Sequence, residues 1–345
     1  MKKKPDESTR VYGAGVLLKQ IAAMLAEVEG VRQARDIEYI HRMRVASRRL
    51  RTALNLFPDS LPAKKLDGWS RDIRQVTKSL GAARDTDVQI ELLQNILAEH
   101  HEPVYRAGLR RLLLRTAQKR EKLQQDVNQA LDRLMASKTL PRMQAALTPL
   151  VEKQGEVFIY SPALYQRGAD HILRGLDDFL IHEDDVVHPE RVEELHAMRI
   201  SAKHLRYTLE AFAPIYPDEL KSFIGNMRKI QDSLGEIHDC DVWEMVLPQF
   251  MEKERARVQA YFGNLRPASR LTAGIEFFRQ NRRELRQQTY QTFLADWKKI
   301  TAKCVWENLR RVVESPLYPV EEAQQAAPVL PEEVPPAAEE STEKK

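Results

Sequence analysis

The chain carries one pattern of residues twice, and this repetition constrains its fold more than any other feature. Residues 40–57 read IHRMRVASRRLRTALNLF, and residues 195–212 read LHAMRISAKHLRYTLEAF. Residues 74–88 (RQVTKSLGAARDTDV) and 228–242 (RKIQDSLGEIHDCDV) form a second pair, with eight of fifteen positions identical or similar. Because both pairs occur in the same order, at offsets of 155 and 154 residues, the sequence predicts an internal duplication of halves of about 150 residues. The matched residues of the first pair are His41 and His196, Arg44 and Arg199, Arg48 and Lys203, Arg51 and Arg206, and Phe57 and Phe212.

Helical periodicity runs through both halves. It appears in residues 13–31, in residues 40–57, and in the long segments 103–137 and 274–313. We found no alternating apolar and polar pattern long enough for a strand. The sequence therefore predicts an all-α fold of two pseudo-symmetric, four-helix-like bundles, the first over residues 11–150 and the second over 156–314.

Glycine and aspartate residues in the second repeat pair suggest helix boundaries. Gly81 and Gly235 are expected to end helices in the left-handed conformation. Asp85 and Asp239 are then expected to be N-caps of the helices that follow, with Asp87 and Asp241 in their first turns. The proline-containing segments 57–62 and 213–220 are interpreted as connections between helices.

Charge is distributed unevenly along the chain. Residues 315–345 hold seven Glu and two Lys, a net charge of −5, together with six of the 18 prolines. The remaining residues 1–314 therefore carry +9, from 52 basic and 43 acidic residues. The tail is predicted to be disordered, and residues 1–10 are predicted to be flexible. The tail could compete weakly for an anion site on the basic body, but a solubilising end is the simpler interpretation.

The sequence also suggests a compartment. No apolar run approaches the roughly 18 residues of a membrane span, and the start, MKKKPDESTR, lacks the apolar core of a signal peptide. The two cysteines, Cys240 and Cys304, form neither a metal-spaced cluster nor a disulfide framework. These observations predict a cytoplasmic protein that does not associate with membranes.

The helix over residues 40–57 places a line of positive charge beside its apolar face. His41, Arg44, Arg48 and Arg51 are spaced three and four residues apart, so they share one face, whereas Arg42 lies elsewhere. Like charges at these spacings repel each other. Residues 40–57 contain no acidic residue, and residues 195–212 contain only Glu210. A solvated charged surface is the simpler explanation, but the missing counter-charges and the duplication favour an anion-binding site.

Further basic residues would join this site if the helices pack side by side. Arg71, Arg74 and Lys78 share a helix face, and Arg228 repeats the middle position, whereas Lys78 is replaced by Asp232. Weaker candidates, which a solvated surface explains as well, are Arg106, Arg110, Lys119, Arg120, Arg282, Arg283 and Arg286.

The histidines allow several interpretations. Neither His41 nor His196 is followed, four residues later, by a His, Cys or carboxylate that could complete a metal site. Phosphate binding is therefore favoured over metal binding, and a structural role at the helix start explains the histidines about as well as phosphate binding does. The motif HDCD at 238–241 matches RDTD in the first half. Since His238 and Cys240 are not repeated, neither is predicted to be functional.

These motifs resemble the CHAD family, the conserved histidine α-helical domain. The resemblance covers most of residues 11–314. It implies two helical bundles whose basic helices face a shared central channel, which binds inorganic polyphosphate, and it implies association of members with polyphosphate granules. The family's histidine corresponds to His41 and His196, and its basic positions correspond to Arg44, Arg48, Arg49 and Arg51, then Arg199, Lys203 and Arg206. His204 stands where the first half has Arg49.

The resulting hypothesis is non-enzymatic polyphosphate binding without a cofactor. Some relatives carry a triphosphatase with a Glu-x-Glu-x-Lys signature, which this sequence lacks. A phosphate loop and a metal-spaced acidic motif are also missing, which argues against a phosphohydrolase or kinase. A nucleic-acid binder or an adaptor for an acidic protein remains an alternative, although few aromatic residues accompany the basic stripes. The predicted site comprises His41, Arg44, Arg48, Arg49, Arg51, Arg74, Lys78, His196, Arg199, Lys203, Arg206 and Arg228.

Overall fold

The protein is described by a computed structural model that covers residues 6–153, 155, 157 and 160–314. This part of the chain contains ten α-helices and no strand, which confirms the all-α prediction. The predicted tail, residues 315–345, lies outside the described residues. The helices are α1 (Glu7–Gln33), α2 (Ile37–Leu56), α3 (Ala63–Glu99), α4 (Pro103–Ser137), α5 (Thr139–Val151), α6 (Pro162–Leu180), α7 (Val192–Phe212), α8 (Lys221–Phe262), α9 (Arg266–Ala302) and α10 (Val305–Glu314).

The helices form two sets of five that pack in the same order. In the first set α1 packs on α2, α2 on α3, α3 on α4, and α5 closes the set against α1. In the second set α6 to α10 repeat these contacts, with α10 closing against α6. Each half therefore contains five helices rather than the predicted four. The ancestral duplication itself stays a prediction.

The helix boundaries predicted in the second repeat pair are wrong. Both α3 and α8 continue without interruption through Gly81 and Gly235, and Gly263 is the only glycine of the described residues with a positive φ. A glycine inside a helix costs roughly 1 kcal/mol relative to alanine. Buried side chains on either side, such as Leu80 and Ala83, provide the packing that outweighs this cost. Asp85 and Asp239 therefore lie in mid-helix and are not N-caps.

Acidic and hydroxyl side chains cap other helices. Asp6 accepts a hydrogen bond from the Thr9 amide (2.9 Å) at the start of α1, and Asp36 accepts one from the Glu38 amide (2.8 Å) at the start of α2. Because α1 begins at Glu7, the last residues of the segment predicted to be flexible (1–10) are helical. The cap at Asp36 fixes the start of the helix that carries the first basic line.

One continuous apolar core joins the two halves. Its buried members extend from Ala14 to Val313. At the junction the Phe57 and Phe212 rings, a matched pair of the repeat, lie 5.4 Å apart, and Tyr12 contacts both at 5.8 and 6.4 Å. The Tyr12 hydroxyl also donates a hydrogen bond to the Ala211 carbonyl (2.7 Å). This packing sets α2 against α7.

A second contact between the halves is made where α4 crosses α9. A Cβ atom added to Gly274 would lie 2.1 Å from the Tyr105 carbonyl oxygen, and one added to Gly108 would lie 2.3 Å from the Leu271 carbonyl oxygen. Only glycine allows two helix backbones to approach this closely. Beside the crossing, a smaller apolar core includes Trp243 and Phe278.

Helix α1 departs from one expectation. It is the one helix of the described residues with the length and mean hydropathy (1.4) of a membrane span, whereas the sequence was expected to contain none. Its apolar face, including Leu17, Ile21 and Met24, is fully buried in the core. A core helix can meet the same criteria of length and composition.

Candidate functional site: a cationic cluster between the two halves

The packing of α2 against α7 brings the two basic lines together. We define the cationic cluster as Arg44, Arg48 and Arg51 of α2 with Arg199 and Lys203 of α7. The charges of Arg44, Arg48, Arg51 and Arg199 all act on Lys203, and those of Arg44 and Arg199 act on Arg48. Since charge interactions weaken with distance, five of the predicted site residues lie close to one another across the junction of the halves.

The strength of this crowding is clearest at Lys203. Burial, followed by the charges of Arg48, Arg199, Arg44 and Arg51, lowers the pKa of Lys203 from 10.5 to about 7. Every one of these charged neighbours is a cation, so each opposes protonation of the ammonium group. The folded protein therefore holds Lys203 in an environment where positive charge predominates.

Arg48 and Arg51 show the same effect from the other helix. Burial lowers the pKa of Arg48 to about 10, with Arg44 and Arg199 contributing, although the nearby Tyr207 and Asp85 act in the opposite direction. The Arg48 guanidinium lies 5.7 Å from the centre of the Tyr207 ring. Burial and the charge of Arg74 lower the pKa of Arg51.

Most members of the cluster lack an ion pair within the described residues. Arg48, Arg51, Arg199 and Lys203 have none, whereas Arg44 pairs with Asp85 at 3.3 Å. The counterpart of Asp85, Asp239 on α8, interacts with Arg199 electrostatically without forming an ion pair. The cluster thus contains more positive than negative charge.

The two mid-helix glycines lie directly beside this cluster. A Cβ atom added to Gly81 would lie 3.8 Å from Arg44 Nε, and one added to Gly235 would lie 3.7 Å from Arg199 Nε. A Cβ atom at either position would make only ordinary van der Waals contact with the arginine. The matched glycines therefore lie against a matched pair of arginines, and neither of them ends a helix.

Two predicted site residues share one carboxylate of the protein. Glu210 accepts hydrogen bonds from Arg49 at 2.9 and 3.0 Å and from Arg206 at 2.9 Å. Arg206 also donates to Gln231 (3.0 Å) and lies 4.9 Å from the Tyr207 ring centre. Arg49 belongs to α2 and Glu210 to α7, so this carboxylate links the halves. Arg49 and Arg206 therefore stabilise the junction, and their contact with a ligand stays a prediction.

One of the two predicted histidines has an unpredicted partner. The rings of His196 and His238 stack with centroids 4.1 Å apart. Within the described residues, the Nδ1 atom of His196 is buried without a hydrogen-bond partner. Burial, Arg199, His196 and Lys203 together lower the pKa of His238 to about 4. His238 was set aside because its counterpart is Arg84, yet its ring lies against a predicted site residue and interacts with Arg199 and Lys203.

His41 is partly buried at the matched position of the first half. No group of three or more His, Cys, Asp or Glu residues suited to a metal ion is found in the described residues.

The comparisons with known proteins agree with this architecture. The family model described as the CHAD domain matches residues 15–248, two thirds of the chain. The chain belongs to the CHAD family. This CHAD domain resembles the crystal structure of the CHAD domain from the plant Ricinus communis, with 19% identity, a TM-score of 0.56, and coverage of 91% of this chain and 94% of that one.

A second solved structure with the same fold is PptA from Streptomyces chartreusis, with 16% identity, a TM-score of 0.53, and coverage of 83% of this chain and 98% of that one. At these identities the likeness concerns the fold. No curated protein sequence matches this chain. Polyphosphate binding is a known property of the CHAD family.

The remaining basic residues of this CHAD domain fall into two groups. Exposed side chains are found at Arg74, Lys78 and Arg228. The charge of Arg74 lowers the pKa of Arg51, so Arg74 extends the cluster. Arg120 and Arg286 have structural roles, because they pair with Asp87 (2.6 Å) and Asp241 (2.5 Å). Of the other weaker candidates, three have protein partners. Arg283 pairs with Glu244, Arg106 donates to the carbonyls of Leu97 and His100, and Arg282 contacts Asn281 and the Phe278 ring. The side chains of Arg110 and Lys119 are exposed.

Replacing Lys203 by Met is expected to stabilise this CHAD domain. Because the folded-state pKa of about 7 lies below the ordinary value of 10.5, Lys203 destabilises the fold fully below pH 7, and the penalty fades as the pH rises toward 10.5. Methionine keeps the apolar stem and removes the charge. We expect the free energy of unfolding at pH 6 to rise by about 1–3 kcal/mol, measured by urea denaturation. The exposed Lys122→Met should change it by less than about 0.5 kcal/mol, and an equal effect of both variants would contradict the crowding of Lys203.

Proposed function

We propose that this CHAD domain binds inorganic polyphosphate at the cationic cluster, without turning it over. The observation that carries the proposal is the convergence of five cations from two helices, where burial together with the neighbouring positive charges lowers the pKa of Lys203 to about 7. Such an arrangement is unfavourable in the free protein, because like charges repel. A polyanion that enters the cluster relieves this repulsion, so its binding gains free energy that an ordinary surface does not provide.

Polyphosphate suits this arrangement chemically. It is a flexible chain with a negative charge on each unit and no sequence to be read. Arginine forks bind phosphate oxygens in pairs and stay charged over the physiological pH range. The cluster places four arginines on two rigid helices. Preorganised donors of this kind reduce the entropy that is lost on binding.

Two features support binding rather than catalysis. The side chains of the cluster are arginines and a lysine, which hold phosphate groups. The nearest carboxylates, Asp85 and Asp239, interact with Arg44 and Arg199, so they contribute to arginine placement. We propose that no phosphate is released when Mg²⁺ or Mn²⁺ is added.

The nucleic-acid alternative is weakened by the one aromatic ring in contact with the cluster. Tyr207 is 6% exposed, and its ring is contacted by Arg48 and Arg206. Binding of single strands generally relies on exposed aromatic faces on which bases stack. The cluster therefore offers phosphate contacts without a stacking platform. We further propose that the protein acts in the cytoplasm and can associate with polyphosphate granules.

A titration with long-chain polyphosphate at two salt concentrations tests the proposal. By analogy with single-stranded nucleic acids, five cations give a slope of log affinity against log salt of about −3.5, so affinity should fall roughly 100-fold between about 50 and 200 mM salt. Single-stranded DNA at equal phosphate concentration should compete poorly. Equal competition by DNA, or an affinity insensitive to salt, would count against polyphosphate as the ligand.

A further inference from the structure

The two halves of the site differ in one chemical respect. Three arginines of the first half, Arg48, Arg49 and Arg84, correspond to Lys203, His204 and His238 in the second half. Arginine stays charged at every physiological pH, whereas lysine and histidine lose their charge when their surroundings disfavour it. By contrast, Arg44 and Arg51 are matched by Arg199 and Arg206. The exchanges thus replace permanent charges by titratable ones at specific positions.

The structure brings the titratable residues to the cluster. Lys203 faces Arg44, Arg48 and Arg51 of α2 and Arg199 of its own helix α7. The His238 ring, on α8, stacks on His196 at 4.1 Å and faces Arg199 and Lys203.

The third exchanged position faces the same groups. His204 faces Lys203 of α7, Arg48 and Arg51 of α2, and the Asp178 carboxylate of α6. The cluster also has two carboxylates beside it, Asp85 next to Arg44 and Asp239 near Arg199. Cations therefore predominate around all three titratable side chains.

We infer that polyphosphate binding at this site is coupled to protonation of the second half, with Lys203 and His238 taking up protons as the phosphate chain enters, so that affinity rises as the pH falls. This inference rests on the proposed function. Protonation is disfavoured in the free protein because these side chains are partly buried and the neighbouring charges are positive. A bound phosphate chain reverses that balance, because it places negative charge beside the same side chains.

The pH range over which affinity should change follows from the pKa values of Lys203 and His238 in the free protein. Lys203 has a pKa of about 7 when no ligand is bound, and phosphate should return it toward the ordinary value of 10.5. Proton uptake then occurs mainly between these values, and affinity should fall roughly 50-fold from pH 7 to pH 9. His238 has a pKa of about 4, so its contribution should appear as a further several-fold gain in affinity below pH 6.5.

The test compares pH profiles of affinity for long-chain polyphosphate, whose internal phosphates stay ionised throughout this range. The wild-type profile should show both the loss of affinity from pH 7 to pH 9 and the gain of affinity below pH 6.5. Lys203→Arg, which copies the first half, should reduce the loss between pH 7 and pH 9 to less than about threefold. His238→Arg should remove the gain on the acid side. Lys122→Arg, an exposed exchange away from the cluster, should keep the wild-type profile.

Calorimetry in buffers of different ionisation enthalpy provides a second readout. At pH 8 wild type should take up about 0.9 proton per binding event, and Lys203→Arg less than about 0.2. A flat wild-type profile, or an unchanged slope in Lys203→Arg, would overturn the inference while leaving polyphosphate binding intact. Absence of wild-type binding at any pH would instead reject the proposed function. Circular dichroism at each pH verifies that all variants stay folded.

Discussion

Arg48→Glu combined with Lys203→Glu is expected to abolish polyphosphate binding while leaving the helical content unchanged. These side chains lie at the centre of the cationic cluster, one on each half, and each interacts with Arg44 and Arg199. The double variant replaces two basic side chains of the site by two acidic ones. Both the direct contacts and the attraction felt by neighbouring phosphates are lost, so affinity should fall at least about 1,000-fold.

The same variant should fold normally. In the wild type, Arg48 and Lys203 repel each other and their neighbours, whereas glutamates at these positions can pair with Arg44, Arg51 and Arg199. Circular dichroism and thermal unfolding measure the folded state, and fluorescence anisotropy with labelled polyphosphate measures affinity. Lys122→Glu with Lys253→Glu, two exposed positions on α4 and α8, makes the same change of net charge away from the cluster. A similar loss in this control would mean that net charge, and not the cluster, governs binding.

The sequence was sufficient to predict the helical class and the meeting of the two basic lines. Helical periodicity depends on local residue spacing, which a sequence displays directly. The convergence of Arg44, Arg48 and Arg51 with Arg199 and Lys203 was implied by the resemblance to the CHAD family, in which the basic helices face a shared channel. The matched contact of Phe57 with Phe212 (5.4 Å) is the packing that produces this convergence.

Other features depended on tertiary contacts that a sequence does not show. Gly81 and Gly235 were interpreted as helix ends because glycine commonly occupies that position. Their actual neighbours are the arginines of α2 and α7, which only the folded chain reveals. Glu210 was noted as the only acid of its segment, but its ion pair with Arg49 crosses the two halves. The contact of His238 with His196 was missed because a comparison of the halves selects residues that are repeated. His238 is not repeated, since the first half has Arg84 at the matched position.

The glycine crossing of α4 and α9 leads to a second large expected effect, for Gly274→Ala. A Cβ atom at this position would lie 2.1 Å from a backbone oxygen of α4 and 3.1 Å from the Gly108 Cα atom. A backbone cannot move aside as a flexible side chain can, so the two helices must separate. We expect the free energy of unfolding to fall by about 2–4 kcal/mol, measured by urea denaturation.

The identical substitution at another helical glycine should have the opposite sign. Gly225 lies within α8 with no atom within 4 Å of an added Cβ. Alanine there gains only helix propensity, so Gly225→Ala should stabilise the protein by about 0.5–1 kcal/mol. Helix propensity alone would predict stabilisation at both positions, and that result would contradict the close crossing. Because the cationic cluster requires both halves, Gly274→Ala should also weaken polyphosphate binding, whereas Gly225→Ala should preserve it.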